Sequence, residues 1–179
     1  MVYKQCITDL TSIYVSAGYP SYPSGGYHGG IDTVHGNSLV YAPIGGTIVT
    51  AHKWGGGTTG NDSWGNYIVV QMADGNYWLA AHLAEQLHPE NESISEGDYV
   101  GVQGVTGNVT GKHTHWEYWV GGYGTSFRQD PSPVIRVPNA KGTYTVEWDV
   151  GGVEPPGPDP EPIPGKKRSM PLWMCKGIF

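Results

Sequence analysis

Short runs of β-branched and aromatic residues, set apart by glycine, fill the first 150 residues and constrain the fold more than any other feature. Residues 39–43 and 46–52 are two such runs that meet at Gly45-Gly46. Residues 67–72 and 76–82 flank Asp74-Gly75, a dipeptide suited to the positive φ of a tight hairpin turn. Residues 99–103, 113–120 and 144–148 read as further strands, the last as an edge strand, while 54–66 and 104–112 read as loops. Glycine accounts for 28 of 179 residues, too many for a helical bundle, and the absence of a Gly-X-Y period excludes collagen. The expected fold is all-β, a mainly antiparallel sheet with long loops and at most one short N-terminal helix, near residues 6–15.

Charge and proline divide the chain. Residues 166–179 hold four of the ten basic residues and no acid, so residues 1–165 carry six basic against sixteen acidic residues. Residues 153–165 hold six of the fourteen prolines. Proline can neither donate to a ladder nor continue a helix, so this stretch is expected to be a solvated spacer. The expected organisation is a domain over 1–150, a Pro-rich linker over 151–165 and a basic, apolar tail over 166–179. The tail is of a kind that docks weakly on a partner or an anionic membrane surface. A net charge of -6 speaks against a nucleic-acid surface. No run of about 18 apolar residues is present, so no transmembrane helix is expected. The N-terminus carries no apolar core of signal-peptide length, so release by another route is expected of a chain that acts outside a cell. Cys6 and Cys175 lie near opposite ends with no CxxC pair, and are expected to be free thiols in a monomer.

The chemistry lies in the histidines. In His113-Thr114-His115, strand alternation points both imidazoles to one face, together with Glu117, and turns Thr114, Trp116 and Tyr118 to the other. In His28-Gly29-Gly30-Ile31-Asp32, two glycines allow a bend that brings an imidazole and a carboxylate onto one ion. His28, Asp32 and His115 form a candidate zinc site, with His82 and His113 free beside it. Catalytic zinc commonly keeps three protein ligands and one open position, and it lowers the pKa of water towards 7. Imidazoles suit the accompanying proton transfers near neutral pH. No HExxH is present, so a helical glutamate base of the thermolysin kind is excluded.

These blocks, taken in order, resemble the LytM/lysostaphin-type zinc metallopeptidases of bacterial cell walls. The resemblance covers residues 28–135 and rests on His28 to Asp32, residues 40–49, Gly65 to Val70, Ala81-His82-Leu83, Glu96 to Val100 and Gly104 to Glu117. It implies a narrow groove on a small antiparallel sheet with Zn2+ at its floor, held by His28, Asp32 and His115. It further implies that His82 and His113 form the catalytic pair. A tyrosine six residues before the first histidine occurs in lysostaphin-like members near the oxyanion, and Tyr22 stands at that position, with Tyr19 and Tyr27 as competitors. The implied substrate is the peptide cross-link of bacterial peptidoglycan, either a Gly-Gly bridge or a D-amino-acid stem bond. A lone peptidase domain with a basic tail fits a phage-encoded endolysin or a virion-associated antimicrobial hydrolase. The alternatives are a catalytically silent wall-binding or activator module, or a structural phage tail-tip component.

Other polar and aromatic residues have plainer expectations. His35, His52 and His88 are expected to be solvated loop or strand-end residues, and the resemblance implies a supporting or structural role for Glu117 rather than that of a base. Trp78, Trp116 and Trp148 are expected in the core, and Trp54 and Trp64 along the groove.

Overall fold

The computed structural model describes residues 1–36, 39–86 and 88–151. The tail expected at 166–179, and the linker beyond Gly151, lie outside the described residues, as does Cys175.

Twelve strands are described: β1 (Val2–Gln5), β2 (Ser12–Ala17), β3 (Ile31–Val34), β4 (Leu39–Tyr41), β5 (Gly46–His52), β6 (Asn66–Gln71), β7 (Tyr77–Gln86), β8 (Ser93–Ile94), β9 (Tyr99–Gln103), β10 (Thr114–Trp119), β11 (Arg128–Gln129) and β12 (Gly142–Trp148). They form one sheet with the order β1-β12-β2-β3-β10-β7-β6-β5-β8, with β11 beside β10 and β9 bridging β4 and β7. All of these pairs are antiparallel except β1 with β12. The all-β expectation therefore holds, as one mixed sheet.

Three sequence expectations are corrected. Residues 6–15 form no helix: a turn braced by the Gln5 side chain on the Thr8 backbone leads into β2. In β2, Ile13, Val15 and Ala17 are buried, whereas Ser12 and Tyr14 are exposed. That period of two, on β-branched residues, outweighs any helical tendency of so short a segment. The single described α-helix is instead the one-turn α1 (Ser132–Ile135). Residues 144–148 lie in β12, but this strand sits between β1 and β2 rather than at an edge. Of residues 76–82, 77–82 fall within a strand that runs on to Gln86.

Alternation sorts the central strands into two faces. Trp116, Trp78, Ala80, Ile68, Val70 and Ile31 join the main core. Tyr67, Val69, Leu79, Ala81 and Trp119 form a smaller cluster on the opposite face. The buried indoles keep their donors satisfied, Trp78 through Ile44 O at 2.9 Å and Trp116 through Thr33 Oγ1 at 2.8 Å. His115 and Glu117 share the Trp119 face, so the small cluster and the polar site lie side by side on one surface of the sheet.

Candidate metal centre

β3 and β10 pair with Asp32 opposite His115, which sets a carboxylate and an imidazole side by side on neighbouring strands. The segment before β3 folds His28 back over them through Gly29 and Gly30. Any Cβ on Gly30 would lie 1.9 Å from Trp116 O, so only glycine lets this segment press against β10. Three ligand-type atoms result in mutual contact. His28 Nε2 lies 3.1 Å from Asp32 Oδ1 and 3.1 Å from His115 Nδ1, and His115 Nδ1 lies 2.7 Å from Asp32 Oδ1. All three residues are buried.

The donor set fits a divalent ion. Tetrahedral bonds of about 2.0–2.1 Å separate ligand atoms by roughly 3.3 Å, close to the separations found here. The far nitrogens of both rings are engaged elsewhere. His28 Nδ1 donates to Gly18 O at 2.8 Å, and His115 Nε2 donates to Glu117 Oε1 at 3.1 Å. Each ring thus turns its other nitrogen to the centre. Burial raises the Asp32 pKa, but the His115 and His28 rings beside it outweigh that and hold the carboxyl well below its usual range. Burial lowers the His115 pKa, but Asp32 and Glu117 on its two nitrogens outweigh it and push the ring up.

His82 and His113 stand beside this group, their rings 4.7 Å apart, with His82 5.8 Å from the His115 ring. His82 reaches the site by breaking the alternation of its strand. Ala81 belongs to the small cluster and Leu83 to the main core, and between them His82 adopts φ +62°. That left-handed backbone turns the ring to the site, with Nδ1 donating to Thr106 O at 2.9 Å. Burial, followed by the neighbouring His115 and His113, pushes the His82 pKa down to about 3. His113 Nδ1 donates to Gly111 O at 2.8 Å, which leaves Nε2 3.6 Å from Asp32 Oδ1. Tyr22 stacks on His28 at 4.2 Å between ring centroids and is 44% exposed.

These side chains open into a cavity of about 540 Å³, walled by Tyr22, Tyr27, Trp64, Val109 and Arg128. Trp64 lies along the groove as expected. Trp54 does not, since its indole donates to Gly57 O within its own loop. Arg128 was not visible as a site residue from the sequence. It follows Glu117 by eleven positions and joins it only because β11 folds back with Arg128 opposite Trp119. The Arg128 guanidinium then forks onto Glu117, with Nε 2.7 Å from Oε2.

Of the remaining histidines, His35 and His88 are not solvated as expected, whereas His52 ends β5 and is partly exposed. His35 and His88 are buried, His88 between Glu92 and Tyr99 O. His52 stacks on Tyr67 and bonds Asp62 at 2.9 Å. Cys6 is a free, buried thiol whose pKa desolvation pushes up to about 12.

Residues 26–127 match Peptidase family M23. The chain is 33% identical over 92 residues to the peptidoglycan DD-endopeptidase ShyC of Vibrio cholerae, covering 49% of this chain and 21% of that protein. It superposes on the catalytic domain of the antimicrobial peptidase lysostaphin from Staphylococcus simulans with a TM-score of 0.60 and 30% identity, covering 69% of this chain and 93% of that one. The fold is shared with a zinc-containing peptidase from Vibrio cholerae, at a TM-score of 0.54 and 22% identity over 66% of this chain and 36% of that one. The chain spans 14% to 25% of the length of the curated relatives it matches.

Proposed function

Because the chain belongs to Peptidase family M23, we propose that it is a zinc-dependent endopeptidase that hydrolyses peptide cross-links of bacterial peptidoglycan. The observation that carries this reading is the three-way approach of His28 Nε2, Asp32 Oδ1 and His115 Nδ1 at the floor of an open groove. These three side chains would hold the ion. Zinc in that place supplies Lewis-acid polarisation of a peptide carbonyl and lowers the pKa of water.

The chain's own residues do the rest. His82, kept neutral by burial and with Nδ1–H committed to Thr106 O, offers Nε2 as proton acceptor for the attacking water. His113, less buried, faces the developing oxyanion as the partner imidazole. Tyr22, packed on His28 at the cavity wall, would donate its hydroxyl there. The groove runs between glycine-rich and aromatic loops, which suits a thin peptide poor in side chains, such as a Gly-Gly bridge or a D-amino-acid stem. Its site of action on this reading is the bacterial cell wall. A silent wall-binding module is disfavoured, since it would have no need of five polar side chains converging on one cavity.

The test is loss of turbidity of a purified cell-wall suspension, measured with and without a metal chelator and followed by mass spectrometry of the released peptides. Chelator-sensitive clearing with newly exposed amines at the cross-link is expected. Clearing unaffected by the chelator, or no peptide cleavage in zinc-loaded protein, overturns the reading.

A further inference from the structure

Glu117 is a carboxylate with no solvent exposure of its side chain, on the same face of β10 as His115. A buried charge is retained only where donors surround it, and here four nitrogens from three side chains do so. His115 Nε2 lies 3.1 Å from Oε1, Trp119 Nε1 lies 2.7 Å from Oε2, and the Arg128 guanidinium engages both oxygens through Nε and its terminal nitrogen. The arginine fork is the geometry that matches a carboxylate most closely. Arg128 is itself held in place. Its guanidinium lies 5.7 Å from the Trp64 ring and 6.0 Å from the Tyr27 ring. It packs against the backbone of Gly29, where an added Cβ would fall 2.6 Å from the guanidinium carbon.

We propose that Arg128 and Glu117 are positioning residues that together set the ring orientation and tautomer of His115. The ring has one nitrogen for the carboxylate and one for the metal centre. Pinning Nε2–H on Glu117 leaves Nδ1 as the acceptor beside His28 and Asp32. Arg128 fixes the carboxylate from the other side, so the imidazole cannot swing without losing its bond to Glu117 or drawing the carboxylate off the guanidinium. The same cation touches Gly29, one residue after His28. One side chain thereby braces two of the three candidate ligands, from a strand of only two residues that lies beyond the His-x-His segment. This inference rests on the reading of His28, Asp32 and His115 as metal ligands.

The Arg136–Glu96 pair provides the comparison. It is also an arginine–glutamate contact, partly buried, but it sits against Pro43 and Cys6 and touches none of the candidate ligands. A pair that only stabilises the fold should behave as this one does.

The experiment titrates full-length apoprotein with zinc against a chromogenic chelator, and records the visible spectrum of the cobalt-substituted form. Glu117→Gln, Arg128→Ala, Arg128→Lys and Arg136→Ala are compared with the wild type. Glu117→Gln and Arg128→Ala are expected to weaken zinc binding by roughly 10–100-fold and to change the cobalt spectrum. Arg128→Lys should recover part of the affinity, since lysine restores the charge without the fork. Arg136→Ala should lower the melting temperature while affinity and spectrum stay as in the wild type. Should Arg128→Ala fail to fold, Glu117→Gln and Arg128→Lys, which preserve size and charge respectively, decide the matter. Wild-type affinity and spectrum in both would overturn the proposal. A wild-type chain that takes up no zinc overturns the metal reading together with this one, whereas zinc uptake with unchanged variants overturns this one alone.

Discussion

His82 donates its Nδ1–H to the carbonyl oxygen of Thr106 at 2.9 Å, and it does so from a backbone at φ +62°. A non-glycine residue in that region costs on the order of 1 kcal/mol or more, and such costs concentrate at functional sites. Here the strain has an evident result: it aims Nε2 into the cavity from a strand position that alternation would have sent into the main core. His82→Ala is expected to keep its zinc and lose roughly 10²–10⁴-fold in kcat. Steady-state hydrolysis with metal analysis of the same sample checks this, and near-normal turnover would remove His82 from the proton transfer.

His113 and His115 are two residues apart and should fail in different ways. His113→Ala is expected to retain one zinc per chain with turnover reduced roughly 10²–10⁴-fold. His115→Ala removes an atom of the three-way contact and is expected to lose the ion itself. Elemental analysis after dialysis separates the two outcomes, and equal zinc content in both variants would contradict the assignment.

Tyr22 lines the cavity, and its ring packs on His28. Tyr22→Phe keeps the stacking and removes the donor. A drop of roughly 10²-fold in kcat with little change in KM is expected if the hydroxyl meets the oxyanion. An unchanged kcat would leave Tyr22 with a packing role only.

Acid should weaken the fold through His82. Its folded pKa of about 3 lies below the unfolded value of about 6.5. Between the two, the unfolded chain binds a proton that the native chain does not. The stability arising from the neutral ring is therefore whole above about pH 6.5 and is lost as pH falls towards about 3. Thermal unfolding across that window should show a declining midpoint in the wild type and a shallower decline in His82→Gln. Parallel curves would show that another group governs the acid limb.

Gly30 should tolerate no side chain. With a Cβ only 1.9 Å from Trp116 O, Gly30→Ala must push β3 away from β10 or distort the His28 segment. A loss of roughly 3 kcal/mol in stability is expected, with weaker zinc binding. Denaturant titration and the zinc competition assay measure the two effects, and wild-type values in both would show that the two segments can part without harm.

Several parts of this molecule could be read from local chemistry. Asp74-Gly75 marks a turn wherever it lies between strands, and Gly75 adopts φ +81° there. The alternation in His113-Thr114-His115-Trp116-Glu117 already sorts ligand-type side chains from core ones, because a strand has a period of two whatever surrounds it. Tertiary structure decided what depends on pairing between distant segments. The β2 strand at residues 12–17 is extended because β3 and β12 flank it, and β12 is interior because β1 adds to it in parallel. The placement of His82 rests on a register shift between β7 and β6, which no local pattern announces. Arg128 reaches Glu117 only through the return of β11 beside β10. Residue types and local periodicity are properties of neighbours in the chain, but contacts such as these are set by sheet register, and that register is an outcome of packing the whole domain.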